Sequence, residues 1–184
     1  MKKVLFILSA LALLVSVGYV NGQVGKTFPV MTCENIQDQK VNLPEATKGK
    51  YTILGLAYSQ KAEENLLTWL QPAFTTFIEK RKQDLFSMNY DVNVYFIAMF
   101  TGANQSAYQA SVKRTKQNLQ DVLRPHVLFY KGDIDTYQKE LSMKNKELPY
   151  IFVLDDEGNI VHFTSGAYSD EKMEAIEEVL SDEE

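Results

Sequence analysis

The chain has 184 residues, a net charge of −5, 45% hydrophobic residues, one cysteine and two histidines. That length and apolar fraction suit a single domain with a real core, and the acidic balance argues against a nucleic-acid partner. One cysteine closes no intramolecular disulfide, forms no CxxC pair and builds no cysteine-rich zinc site.

Met1-Lys2-Lys3 precedes an apolar run from Val4 to Val17, broken only by Ser9 and Ser16, and Val20-Asn21-Gly22 places a small residue before Gln23. A basic start, a short apolar stretch and a small-residue site predict a secretory signal peptide over 1–22. The run falls short of the roughly 18 residues that span a bilayer; retention as an uncleaved anchor is the alternative. The expectation is an exported protein, periplasmic or envelope-associated, whose residues 23–184 form one domain.

From Gly25 to Leu43 the pattern predicts an N-terminal hairpin. Tyr51 to Tyr58 is nearly continuous apolar sequence, as in strands buried on both faces. Ser59 is placed to cap a helix, with Glu63 and Glu64 favourable to its first turn. Leu66, Leu70, Phe74 and Phe77 recur at spacings of four and three, with Leu67, Trp69 and Ile78 widening the stripe. Pro72 should kink this helix or remove one of its bonds, and Glu79 to Lys82 should close it. Val92 to Met99 reads as a second strand, followed by a helix from Ser106 to Leu123 that Arg124-Pro125 ends. A short strand at Val127–Tyr130, a short helix at Asp135–Leu141, a hairpin from Tyr150 to Phe163 turning at Asp155–Asn159 and a last helix at Asp170–Leu180 complete the order. Alternating strands and helices imply an α/β fold with a central mixed sheet flanked by helices.

The run Leu148-Pro149-Tyr150-Ile151-Phe152-Val153-Leu154-Asp155-Asp156-Glu157-Gly158-Asn159, with Gly166-Ala167-Tyr168 beyond it, resembles thioredoxin-like proteins from their cis-proline through the final hairpin. Gly25-Lys26-Thr27-Phe28-Pro29 and Lys48-Gly49-Lys50-Tyr51 are similar to the start of peroxiredoxin-like and TlpA-like members, and Pro72 matches the proline of their first helix. A narrower similarity, carried by Trp69 to Phe74, Leu128 to Asp133 and Tyr150 to Asp155, is to thioredoxin-like ATP synthase assembly factors, though His162-Phe163 stands where those often have a basic-Trp pair.

The resemblance implies a thioredoxin-like fold whose redox members carry sulfur at the junction before the first helix. Here that junction reads Ala57-Tyr58-Ser59-Gln60-Lys61, and neither Ser nor Gln replaces an attacking thiolate. The copper-delivering members need two cysteines there, so that role fails as well. The expected function is therefore non-redox: protein binding or assembly assistance in a bacterial envelope, toward a protein partner or a membrane-protein complex. The expected contact surface is Tyr58, Ser59, Gln60, Lys61, Leu148, Pro149 and Tyr150. One rival is a thiol-disulfide oxidoreductase or peroxidase acting through Cys33; another is a small-ligand-binding module, which would need an apolar pocket. His126 and His162 carry no metal-ligand spacing, and no cofactor motif stands out. Lys113, Arg114 and Lys116 read as a solvated helix face, and the last acidic residues as a solubilising tail.

Overall fold

The computed structural model describes residues 22–79 and 90–181. The expected signal segment before residue 22, the Lys80–Lys82 end of the first helix and the last three acidic residues lie outside the described residues.

Among the described residues seven strands form one mixed sheet: β1 (Met31–Asn35), β2 (Lys40–Leu43), β3 (Thr52–Ala57), β4 (Asn93–Thr101), β5 (Val127–Gly132), β6 (Tyr150–Leu154) and β7 (Ile160–Ser165). Their order is β2-β1-β5-β4-β3-β6-β7. Strands β3, β4 and β5 run parallel, while β6 is antiparallel to β3 and pairs with β7. The expected N-terminal hairpin is β1–β2, and it joins the sheet through Glu34 and Asn35 against β5. All six residues of β3 are buried, which explains its unbroken apolar sequence: it has neighbours on both edges and helices on both faces.

Side-chain alternation divides the core between the two faces. Met31, Cys33, Leu54, Leu56, Ile97, Leu128 and Phe152 point to one face and meet Tyr137, Leu141 and Met143, from helix α3 (Asp135–Glu140) and the chain just after it, together with Phe28. Ile53, Phe96, Ile151 and Val153 point to the other, against helices α1 (Gln60–Ala73) and α4 (Asp170–Ser181). A separate cluster of Phe100, Tyr108, Val112, Val127 and Phe129 lies under helix α2 (Tyr108–Asn118). Each fully buried aliphatic or aromatic side chain contributes about 1.5–3 kcal/mol relative to exposure, so the two faces dominate the stability.

Gly55 leaves room for the Leu66 side chain of α1. A Cβ there would sit 2.7 Å from Leu66 Cδ1 and 3.3 Å from both Phe96 and Ile151, so a larger residue would force the Leu66 side chain to move. The buried stripe of α1 is Ala62, Leu66, Trp69 and Ala73. Leu67, expected to widen that stripe, instead lies 61% exposed, because the sheet covers a narrower arc of the helix than the apolar pattern offers. Trp69 Nε1 donates to Gly166 O at 3.0 Å and its ring meets Tyr168 edge-on at 5.4 Å. Just past Pro72 the helix widens into a π turn over Phe74–Ile78, the adjustment that a missing amide donor favours.

Helix α2 is shorter than its periodicity predicts. It stops at Asn118, Leu119 turns extended, and Leu123 falls in a separate 3-10 turn, Asp121–His126, that contains Pro125. The side chain of Arg124 folds back and donates to Lys116 O at 3.1 Å and Leu119 O at 3.3 Å, satisfying carbonyls that a continuing helix would have used.

The chain ahead of β1 is also fixed. Gln23 is 5% exposed and donates from Nε2 to Leu141 O at 3.0 Å. Gly25 and Phe28 donate their amides to Ile160 O and Gly158 O. No helix among the described residues is long and apolar enough to cross a membrane.

Candidate functional site

The junction between β3 and α1 lies at the C-terminal edge of the parallel strands, where sheets of this kind commonly place their ligands. Ser59, extended at φ −150°, caps α1 by accepting from Ala62 N at 3.1 Å. Its hydroxyl also donates to Lys146 O at 2.5 Å. Tyr58, buried beneath it, donates to Met143 O at 2.7 Å, and burial pushes its phenol above the ordinary value. Tyr150 stacks on Tyr58 with ring centres 6.4 Å apart. The Tyr150 hydroxyl accepts from Asn145 N at 2.7 Å and donates to Asn145 O at 3.1 Å. From the next turn of α1, Asn65 Nδ2 donates to Glu147 O at 3.2 Å.

Five side-chain bonds thus fix the loop between α3 and β6 along the start of α1 and the stacked pair Tyr58–Tyr150. Where redox members of this fold place sulfur, this chain has hydroxyl groups engaged by backbone. Gln60 and Lys61 stand exposed on the first turn of α1, as do Lys144 to Glu147 on the loop. Lys61 makes a 3.4 Å ion pair with Glu64, which is solvent-exposed and contributes little. Leu148 is half-buried; Pro149 is buried, and its carbonyl accepts from Gly166 N at 2.9 Å. Among the described residues the cis peptide bond is Leu43–Pro44, so Leu148–Pro149 is trans, in contrast to the cis-proline of the resemblance.

The seven residues singled out from sequence therefore meet at one place but divide by depth. Tyr58, Pro149 and Tyr150 form its buried support, Ser59 and Leu148 its margin, and Gln60 and Lys61 its surface. Asn65 and the Met143–Glu147 loop belong to the same site. Nothing local in the sequence marked them, because their contacts bridge about eighty residues of chain.

Cys33 lies elsewhere. It sits fully buried on β1, three strand positions from β3 in the sheet, roughly 14 Å at ordinary strand spacing. Burial pushes its thiol up to about 12, so at neutral pH it carries essentially no thiolate. His126 Nδ1 bonds to Val94 O at 2.9 Å. His162, half-buried on β7, leaves its buried Nε2 without a partner among the described residues. No group of three or more His, Cys, Asp or Glu able to hold a metal ion occurs among them.

Residues 17–182 match the family model described as ATP10 protein. No curated protein matches the sequence closely enough to count as a relative. Among solved structures, similarity extends to a Chlorobium tepidum protein described as a thiol:disulfide interchange protein DsbE, at TM-score 0.55 and 13% identity over 86% of this chain and 96% of that one. BsSco, of the Sco family of cytochrome c oxidase assembly proteins, is similar at TM-score 0.55 and 10% identity over 84% and 91%. The reduced 2-Cys peroxiredoxin of Plasmodium vivax is similar at TM-score 0.53 and 14% identity over 88% and 98%. Likeness at this identity establishes the thioredoxin-like fold.

Proposed function

The chain belongs to the ATP10 protein family, a family of thioredoxin-like assembly factors, and on that premise we propose that it is an exported, non-redox factor that holds a subunit of a membrane-bound ATP synthase complex during assembly. The observation that carries the non-redox part is the β3–α1 junction itself. Tyr58 and Ser59 commit their hydroxyl groups to the Met143 and Lys146 carbonyls, which makes a fixed face and supports the non-redox reading. The burial of Cys33 supports the same reading, because thiol exchange requires an accessible thiolate. Partner contact falls to the exposed members of the face, Gln60, Lys61 and the Lys144–Glu147 loop, with Tyr58 and Tyr150 holding them in place. Export rests on the sequence before Gln23.

The test is complementation of a strain lacking the protein, read as assembled ATP synthase on native gels. Cys33→Ser should restore assembly fully, and the pair Lys61→Glu with Lys146→Glu should restore little while the purified protein keeps its melting temperature. Loss of assembly with Cys33→Ser, or insulin reduction that this change abolishes, would overturn the proposal.

A further inference from the structure

Helices α1 and α2 lie on the same face of the sheet yet hardly touch each other, and the hydrophobic clusters beneath them are separate. Between them runs an open apolar cleft of about 330 Å³, floored by Phe96, Ala98 and Val127 and walled by Leu66, Leu70 and Leu119. At the α1 N-terminal end it adjoins a second, polar cavity of about 270 Å³ bounded by Ser59, Gln60 and Asn104. Glu63, Ser111 and Arg114 line both cavities, and among the described residues Glu63 and Arg114 are the charged ones that line either.

We propose that these joined cavities bind a single-chain amphiphile with an anionic head, its alkyl tail in the α1/α2 cleft and its head beside Arg114 and Ser111.

Arg114 has no hydrogen bond or ion pair among the described residues. Its charge is felt by Glu63 across the join without a salt bridge, and burial raises the Glu63 carboxyl, weakening the one opposing charge. The polar cavity also lies at the positive end of the α1 dipole. An anion there finds an unpaired guanidinium and hydroxyl and amide donors, while a tail finds apolar walls of a size usual for small-ligand sites. A cationic head would leave Arg114 unpaired and oppose it. The polar cavity shares Ser59 and Gln60 with the proposed contact face, but its test falls on Arg114, Ser111 and Glu63, which that face does not use, so either proposal can fail without the other.

Dodecanoate, titrated below its micelle concentration into the protein by calorimetry, is the probe. It should bind one to one, with hexanoate far weaker because each methylene buried is worth about fourfold in affinity. Arg114→Gln should weaken dodecanoate about tenfold or more, Glu63→Gln should tighten it, and dodecyltrimethylammonium should bind at least about tenfold more weakly. Ser111→Trp, which plugs the join from a half-buried position, should abolish binding while the melting temperature holds. Absence of dodecanoate binding, equal affinity for the cationic amphiphile, no effect of Arg114→Gln, or full binding by folded Ser111→Trp would each overturn the proposal.

Discussion

The buried hydroxyl of Tyr58 donates to the Met143 carbonyl at 2.7 Å. Tyr58→Phe would strand the buried Met143 carbonyl, and an unsatisfied buried acceptor costs about 1–3 kcal/mol; urea unfolding should show that loss without a change in slope. Ser59→Ala removes both a helix cap and the bond to Lys146, an expected loss of about 1–2 kcal/mol. Cys33 should stay unlabelled by Ellman's reagent in the native protein near about pH 8 and react only on unfolding; rapid native labelling would contradict its burial. His162 gives the pH signature. Burial lowers its imidazole below the ordinary 6.5, so as pH falls through that value the unfolded chain takes up the proton before the folded one. Its contribution is therefore present above the unfolded pKa and lost as pH falls toward the folded pKa. His162→Gln should flatten the slope of unfolding free energy against pH between about 5 and 7; parallel slopes for the two proteins would refute this.

At the level of elements, local pattern and long-range packing divide the explanation. Thr52–Ala57 and Tyr150–Leu154 were legible as strands because a strand buried on both faces needs unbroken apolar sequence, and the Ser59 cap was legible because capping is chemistry within four residues. Two assignments failed for the same reason. Leu67 fits the helical stripe yet lies exposed because the sheet reaches no further, and Leu119 and Leu123 fit the period of α2 yet fall outside it, because the helix ends at Asn118 and Arg124 folds back on its carbonyls. Periodicity carries neither fact. Gly55 shows how tight the fit is where coverage does occur. Gly55→Ala should cost about 1–3 kcal/mol through overpacking against Leu66, and trimming Leu66 to Val in the same protein should recover part of that loss. Additive effects in the double variant would mean that the two residues do not crowd each other.

Over the whole molecule, the segments that cooperate are far apart in sequence. Phe28 is 1% exposed and meets Phe152 edge-on at 5.8 Å, so the N-terminal stretch completes the core under the last hairpin. Phe28→Ala should cost about 3–5 kcal/mol, visible as a single cooperative transition shifted to lower denaturant. A biphasic transition would mean that the N-terminal stretch unfolds on its own. The fold class was readable from the alternation of elements, and the place of the candidate site from the Tyr58–Lys61 junction. Its division into buried support and exposed face was not, since Met143, Asn145 and Glu147 reach it only through tertiary structure. The α1/α2 cleft was equally hidden, because the gap between two helices belongs to neither sequence. The pinning of Gln23 to the Leu141 carbonyl bears on timing in the cell. On the export reading, a peptidase can open the Gly22–Gln23 bond only while the emerging chain is still unfolded. On that reading, docking of Gln23 would shield its side of the bond, so maturation and folding would compete for the same few residues.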